Sequence, residues 1–399
     1  MSVSDTPAIV DAIRTPFGAR NGKLAGWHPA DLAAELLRAL VKRNKLDPAT
    51  VGDVILGCVA QVGAQAANVA RSAVLAAGWP DSVPATTVDR QCGSSLQAVQ
   101  FAAYSILAGG YDAAVAGGVE VTSIVGVGAP LLPGCGVPFG PAVAARYQSA
   151  GGLIPSGIAA ERTAARLGLT RQQLDAYAAR SQLLSIGPHA EMNRQAEIVG
   201  CAELRSATAG RAARGPLLDC DELPRRGTSS DLADLRPAFE PTGMVTAGNS
   251  APVADGAAAL LLMKESAART LGLQPRARLI QLAVAAGDPT DALSGLCPVT
   301  ALVLRRSGLT LADIDRFEVH ESFSVVVLGW LQELRIDSAR VNVNGGALAF
   351  GHAPGATGAS QLTRLLCELE RSGGRYGLAV VGELGGQANA AIIERIPDR

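Results

Sequence analysis

Apolar and polar positions along the chain fall into two alternating textures. Short continuous apolar runs, bounded by Gly, Pro or Asp, occupy residues 8–13, 54–57, 84–88, 113–116 and 257–263, and again 278–286, 314–319, 377–381 and 390–393. Runs of this length read as strands buried on both faces. Between them the apolar residues recur at helical spacing. Leu32, Leu36, Leu37 and Leu40 line one face of a helix over 31–43. Leu96, Val99, Ala103 and Ile106 do so over a helix that starts near Gly93 and stops at Gly109-Gly110. Further helices are predicted over 68–77, 158–167, 170–185, 301–304, 325–334 and 359–371. Strands alternating with helices predict an α/β protein with a mixed, mainly parallel sheet covered on both sides. The run 113–116 is expected to close at Gly117-Gly118.

The texture changes at about residue 121. Residues 123–157 are rich in glycine and proline, and 186–243 are charged and without a period, Arg225 and Arg226 among them. The span 121–246 is therefore expected to be an insertion that folds over a site as a lid. Residues 1–270 form the first half around it and 271–399 the second. The halves resemble each other. Laid without gaps on 357–382, residues 92–117 match at Gly93/Gly358, Ser95/Ser360, Gly109/Gly374, Tyr111/Tyr376, Ala114/Ala379, Val115/Val380 and Gly117/Gly382. A duplicated fold with a pseudo-twofold axis is implied, in which Thr357 is the counterpart of Cys92.

Composition narrows the function classes. The chain has 399 residues, 48% hydrophobic and 18% charged, with a formal net charge of −1. No Lys/Arg run is long enough for a nucleic-acid groove, and no apolar run approaches the roughly 20 residues that span a bilayer. The seven cysteines are scattered with no CxxC pair, which argues against a zinc or dithiol site and for a reducing, cytoplasmic setting. The polar opening, residues 1–6, does not read as a secretory leader.

Cys92 lies where a strand turns into a helix. Helix N-termini carry unpaired N–H groups and the positive end of the dipole, so a thiolate is favoured there. The small neighbours Gly93 and Ser94 leave room for a substrate carbonyl. Cys92 reads as a nucleophile that carries an acyl group, which requires a base and a donor for the carbonyl oxygen. Of the four histidines, His28 and His189 read as structural. His320 ends an apolar strand, and His352 sits in a loop that leads into a helix. Such loops carry ligand contacts in open α/β sheets. The glycine-rich segment 345–351 lacks the Gly-Lys-Ser/Thr ending of a phosphate loop and reads as close backbone packing. For Glu120, Glu321 and Glu383 structural hydrogen bonding is at least as well supported as catalysis.

Taken together, five motifs resemble the thiolase family across nearly the whole chain. They are IVDAIRTPFG at 9–18, QCGS at 91–94, VTAGN at 245–249 with DGAA at 255–258, HESF at 320–323, and GGALAFGHAPG at 345–355. The resemblance implies a five-layer αβαβα fold of two similar halves with a lid that binds coenzyme A. It implies that Cys92 forms the acyl-enzyme, that His352 activates it, and that His320 helps bind a thioester oxygen. The backbone N–H groups of Cys92 and Leu384 would form an oxyanion hole, and Arg225 and Ala251 would lie near the coenzyme. The substrate would be an acyl-CoA, with no further cofactor and no metal, and the protein a homodimer or homotetramer.

One departure stands out. Thiolases carry a second cysteine in a Cys-x-x-Gly-Gly pattern, and here the matching segment is VVGELGGQAN at 380–389, with Gly382 in the cysteine position. In the family that thiol moves the α-proton; glycine cannot. Glu383 is adjacent, but a Glu follows the cysteine in similar thiolases, so it is not an obvious substitute, and strand alternation would turn it to the other side. The set Cys92–His320–His352 that remains resembles that of decarboxylating condensing enzymes of the same fold. Three readings stay open: thiolysis or Claisen condensation in impaired or altered form, a decarboxylative or N/O-acyl-transferring variant, and a catalytically weak acyl-CoA-binding subunit. If the shuttle is missing, Gly382→Cys is expected to recover thiolysis.

Overall fold

The computed structural model describes residues 6–397, apart from 133, 135, 137, 151 and 206–212. The polar opening thus lies outside the described residues except for Thr6. The main strands are β1 Pro7–Arg14, β2 Asp53–Gly57, β3 Ala85–Val88, β4 Ala113–Val121, β5 Ala254–Lys264, β6 Ala277–Ala286, β7 Arg316–Val319, β8 Tyr376–Glu383 and β9 Gln387–Arg395. They hydrogen-bond in the order β7-β8-β9-β6-β1-β5-β4-β2-β3. In the first half β2 runs parallel to β4, and β4–β5 and β5–β1 are antiparallel. The second half repeats this: β7 parallel to β8, then β8–β9 and β9–β6 antiparallel. The halves meet where Ala8 pairs with Arg278 and Ile9 with Ala277. The duplication inferred from the repeat is therefore present in the strand pattern.

A mainly parallel sheet was the expectation, and antiparallel pairings prevail instead. Only β2–β3, β2–β4 and β7–β8 are parallel among the described strands of this sheet. Continuous apolar runs report burial on both faces, which says nothing about strand direction.

Three separate cores account for those runs. Helices α1 Pro29–Asn44 and α2 Val69–Ala76 cover one face of the first-half strands, burying Leu36, Leu40 and Val74 with Val54, Val115 and Leu261. Helices α3 Ser94–Leu107 and α6 Thr357–Ser372 form a central layer, with Leu96, Val99, Leu362 and Leu366 against Ile9, Leu260, Ala379 and Val381. Helices α4 Leu296–Ser307 and α5 Ser324–Leu334 cover the far side, where Val303 and Trp330 meet Val319, Val380 and Ile392. The layers are thus αβαβα. Along β8, Val380 faces the outer core while Ala379 and Val381 face the central one, the period-2 alternation of a strand.

Two segments depart from expectation. β4 does not close at Gly117-Gly118 but continues to Val121. A Cβ on Gly117 would overlap the Ala258 carbonyl and one on Gly118 the Gly355 carbonyl, so these glycines admit neighbouring backbone rather than end a strand. The span 186–243, expected to be irregular, contains the helix Pro188–Glu197, the hairpin Cys201–Arg205 with Ala213–Leu218, and the helix Ser229–Ala233. Its order comes from distant partners. Arg14, fully buried, donates to Glu197 Oε1 at 2.6 Å and Asp221 Oδ1 at 2.6 Å. Trp27 Nε1 donates to the Ala202 carbonyl at 2.9 Å. The preceding helices Ser156–Leu167 and Arg171–Ser185 do match expectation, the second opened by a Thr170–Gln173 capping box. Among the described residues no helix is long and apolar enough to cross a membrane.

Candidate active site

Cys92 sits in a tight turn between β3 and α3. Gln91 takes a left-handed conformation, φ 48°. The turn is closed by Gly93 N–H to the Arg90 carbonyl at 3.0 Å and Ser94 N–H to the Gln91 carbonyl at 3.0 Å. The Ser94 hydroxyl accepts from Arg90 N–H at 2.9 Å and donates to the Gln91 carbonyl at 2.6 Å. A left-handed non-glycine residue costs energy that the surrounding bonds must cover, a pattern common at functional sites.

His352 follows the short helix Ala347–Phe350 and Gly351, whose φ of 90° few side chains tolerate. Its backbone is pinned on both sides, N–H to the Pro252 carbonyl at 2.8 Å and carbonyl to Ala254 N–H at 2.9 Å. Nε2 lies 3.2 Å from Cys92 Sγ, and Nδ1 lies 2.7 Å from Thr357 Oγ1. The Thr357 hydroxyl gives its one proton to the Ala353 carbonyl at 3.0 Å. It can therefore only accept from Nδ1–H, which leaves Nε2 as the lone-pair nitrogen facing the thiol. His320 continues from β7, its N–H bonded to the Val380 carbonyl at 2.9 Å. Its ring centroid is 4.5 Å from that of His352, and neither ring nitrogen has a hydrogen-bond partner. The fold thus assembles all three residues singled out from the sequence.

Burial dominates the electrostatics. It pushes the Cys92 thiol up to about 12, with the Glu383 carboxylate adding to the rise. A helix-stabilised thiolate was expected, and desolvation outweighs the helix terminus instead. Burial also brings His320 down to about 4 and holds His352 well below the usual imidazole range, with His320 adding to the latter. The resting pair is a neutral thiol and a neutral imidazole. Cys92, His352, Gly382, Glu383 and Leu384 open onto a cavity of about 320 Å³ whose other walls include Val127, Ile154, Phe239, Phe323 and Val326. Phe239 and Phe323 meet edge to face at 5.9 Å.

Family models place this site in a known lineage. Residues 7–266 match the thiolase N-terminal domain and residues 273–395 the thiolase C-terminal domain. The chain belongs to the thiolase family. It is similar to the steroid 3-ketoacyl-CoA thiolase FadA6 of Mycobacterium tuberculosis, 41% identical over 97% of this chain and 94% of that protein. It is also similar to the 3-ketoacyl-CoA thiolase FadA of Escherichia coli, 40% identical over 97% and 99%. The crystal structure of the Bacillus anthracis acetyl-CoA acetyltransferase superposes with a TM-score of 0.85 at 34% identity, covering 98% of this chain and 99% of that one. This thiolase is therefore an acyltransferase of the five-layer fold.

The remaining candidates separate. Leu384 and Ala251 line the cavity of this thiolase, and Ala251 N–H bonds the Ser322 carbonyl at 3.0 Å. Arg225 does not line it; the residue is exposed, and its backbone N–H reaches Gln182 Oε1 at 3.0 Å. Glu120 and Glu321 are structural. Glu120 accepts from Val59, Ala60 and Gly355 N–H and from Gln65, tying the two halves together. Glu321 accepts from Tyr177, Ser181, Asn342 and Leu348 N–H. Gly382 faces the outer layer, where an added Cβ would lie 2.7 Å from Leu296 Cδ1. Alternation does turn Glu383 the other way, but that side is the central layer, where α3 begins. Its carboxyl occupies the space a Cβ on Gly93 would need. The hydrogen bond through Thr357 was missed, although the internal repeat had already set Thr357 opposite Cys92 at the head of the matching helix.

Proposed function

We propose that this thiolase takes an acyl group from a CoA thioester onto Cys92 and passes it on, by thiolysis of a 3-ketoacyl-CoA or by the reverse Claisen condensation. The observation that carries the reading is the 3.2 Å contact between Cys92 Sγ and the lone-pair nitrogen of His352. His352 Nε2 takes the thiol proton as Sγ attacks the carbonyl carbon, and the Thr357 hydroxyl holds Nδ1–H while the ring is positively charged. The backbone N–H groups of Cys92 and Leu384 receive one developing oxyanion, and His320, which does not itself line the cavity, reaches a second through water. The apolar walls of the cavity support an apolar acyl group, in keeping with relatives named steroid 3-ketoacyl-CoA thiolase and 3-ketoacyl-CoA thiolase.

Residues 1–270 and 271–399 act as the two halves in this reading. The inserted span 121–246 covers the acyl site, since it contributes Val127, Ile154 and Phe239 to the cavity. Ala251 contacts the pantetheine arm. Arg225, outside the cavity, meets the coenzyme only at its solvent end. The working form is a cytoplasmic homodimer or homotetramer. A second reading, decarboxylative condensation, draws on the two imidazoles, tilted at 44° with centroids 4.5 Å apart, beside one thiol. It differs in its donor, a carboxylated acyl-CoA that releases CO₂.

Intact-mass spectrometry after mixing with a panel of acyl-CoAs from acetyl to long-chain and polycyclic tests the main reading. A mass increase equal to the acyl group is expected on the native protein and is lost in Cys92→Ser. If the native protein gains no adduct with any donor, the acyl-carrier role is wrong and only binding remains.

A further inference from the structure

We propose that Glu383 is the acid–base residue that moves the proton at the α-carbon of the CoA thioester. The inference rests on the reading of Cys92 as the acyl carrier. Making or breaking a carbon–carbon bond beside a thioester carbonyl places an electron pair on the α-carbon. A proton must leave that carbon in condensation and reach it in thiolysis. His352 is committed in the same step, since Nε2 holds the proton of Cys92 and Nδ1 is tied to Thr357. Gly382 has no side chain. The titratable groups left nearby are His320 and Glu383.

His320 fits poorly. It is 1% exposed and is not among the residues lining the cavity with Cys92. Kept neutral by burial, it has no proton to give short of becoming an imidazolate. Glu383 lines the cavity beside Cys92 and His352. The parity of β8 aims it at the start of α3, and its carboxyl abuts Gly93, the residue after the nucleophile. Among the described residues neither of its buried oxygens has a hydrogen-bond partner. A structural glutamate would have filled those sites, as Glu120 and Glu321 do; unpaired buried polar atoms call for an explanation. Its nearest cation gives it no bond either: Arg90 donates to Gln387 Oε1 at 2.9 Å instead. Burial, reinforced by Asp89 and opposed by Arg90, raises the carboxyl to about 8. Near neutrality Glu383 is therefore a protonated acid within reach of its conjugate base, the range in which general acid–base groups work best.

The proton balance closes. In thiolysis His352 Nε2 takes the Cys92 proton, and Sγ bonds the 3-keto carbon. The C2–C3 bond breaks, and C2 takes the proton of the Glu383 carboxylic acid, releasing acetyl-CoA and leaving the shortened acyl group on Sγ. The incoming CoA thiol then gives its proton to the Glu383 carboxylate as its sulfur attacks the acyl carbon. The Cys92 C–S bond breaks, and Sγ recovers its proton from His352. The cycle returns to neutral thiol, neutral imidazole and protonated acid, the state that the environment of each group favours.

The test is deuterium exchange into the methyl group of acetyl-CoA in D₂O, read by mass spectrometry, with acylation of Cys92 followed in parallel. The native protein is expected to exchange, faster as pH rises through about 8 while the carboxylate forms. The charged or titratable neighbours whose effect this profile carries are Asp89, Arg90, Cys92 and His352. Glu383→Gln is expected to lower exchange by about 10²–10⁴-fold and flatten the profile, with Cys92 still acylated. Because the side chain touches Gly93, Glu383→Asp serves as a second variant; acylation with exchange slowed at least tenfold supports the role. Exchange within tenfold of native in an acylating Glu383→Gln or Glu383→Asp variant overturns it. So does a native protein that acylates but never exchanges. Failure of the native protein to acylate at all strikes instead at the reading of Cys92.

Discussion

One hydroxyl proton sets the chemistry of the Cys92–His352 pair. Because Thr357 spends its proton on the Ala353 carbonyl, it orients the imidazole as a base toward sulfur. Thr357→Val leaves Nδ1–H without its partner in a buried site, a loss of about 1–3 kcal/mol, or roughly 5- to 150-fold in the rate of acylation. Thr357→Ser is expected to keep the native rate, and stopped-flow acylation with a chromogenic thioester separates the two. At this scale the residues that the fold brings together were legible because their types and local patterns are rare: a cysteine at a strand-to-helix turn, and two histidines after apolar runs. Their protonation states were not legible. The position of Cys92 at the helix start argued for a thiolate, while the actual state follows from burial by residues far away in the chain.

Elements were read best where both ends carried side-chain signals. α1 begins at His28, whose ring accepts from Ala30 N–H at 3.3 Å, and ends at left-handed Lys45. α6 was placed to within a few residues. Glycine misled where it served packing. Gly118 sits inside β4 against the carbonyl of Gly355, which follows His352 by three residues. Gly118→Ala is expected to destabilise the fold by about 1–3 kcal/mol and to slow acylation by displacing the His352 loop. Denaturant melts of the two proteins, run beside the acylation assay, check both effects. If the variant matches the native protein in both, the close approach at this position has no bearing on the site. Gly382 is a milder case, since the atom a new side chain would meet is the end of the flexible Leu296 side chain.

The whole molecule depends on contacts between its halves and its insertion. Arg14, at the end of β1, binds both Glu197 and Asp221 with all three side chains nearly or fully buried. Removing one partner of such a cluster leaves uncompensated buried charge, at about 3–5 kcal/mol. Arg14→Met is expected to lower thermal stability and expose 186–243 to protease. The triple variant Arg14→Met/Glu197→Gln/Asp221→Asn recovers part of that loss; a triple variant no better than the single one argues against the charge account. This cluster ties the end of the helix Pro188–Glu197 and the segment after the hairpin to β1, across 183 and 207 positions of chain.

From the sequence alone came the alternation of elements, the duplication, the family and the candidacy of Cys92, His320 and His352. Each of these is written in local residue types and spacings, which a linear chain displays directly. Tertiary structure decided strand direction, the neutral state of the Cys92–His352 pair, the hydrogen bond from His352 to Thr357 and the face to which Glu383 turns. Those depend on which distant segments exclude water from a group or supply its partner, and that is a property of three-dimensional neighbours.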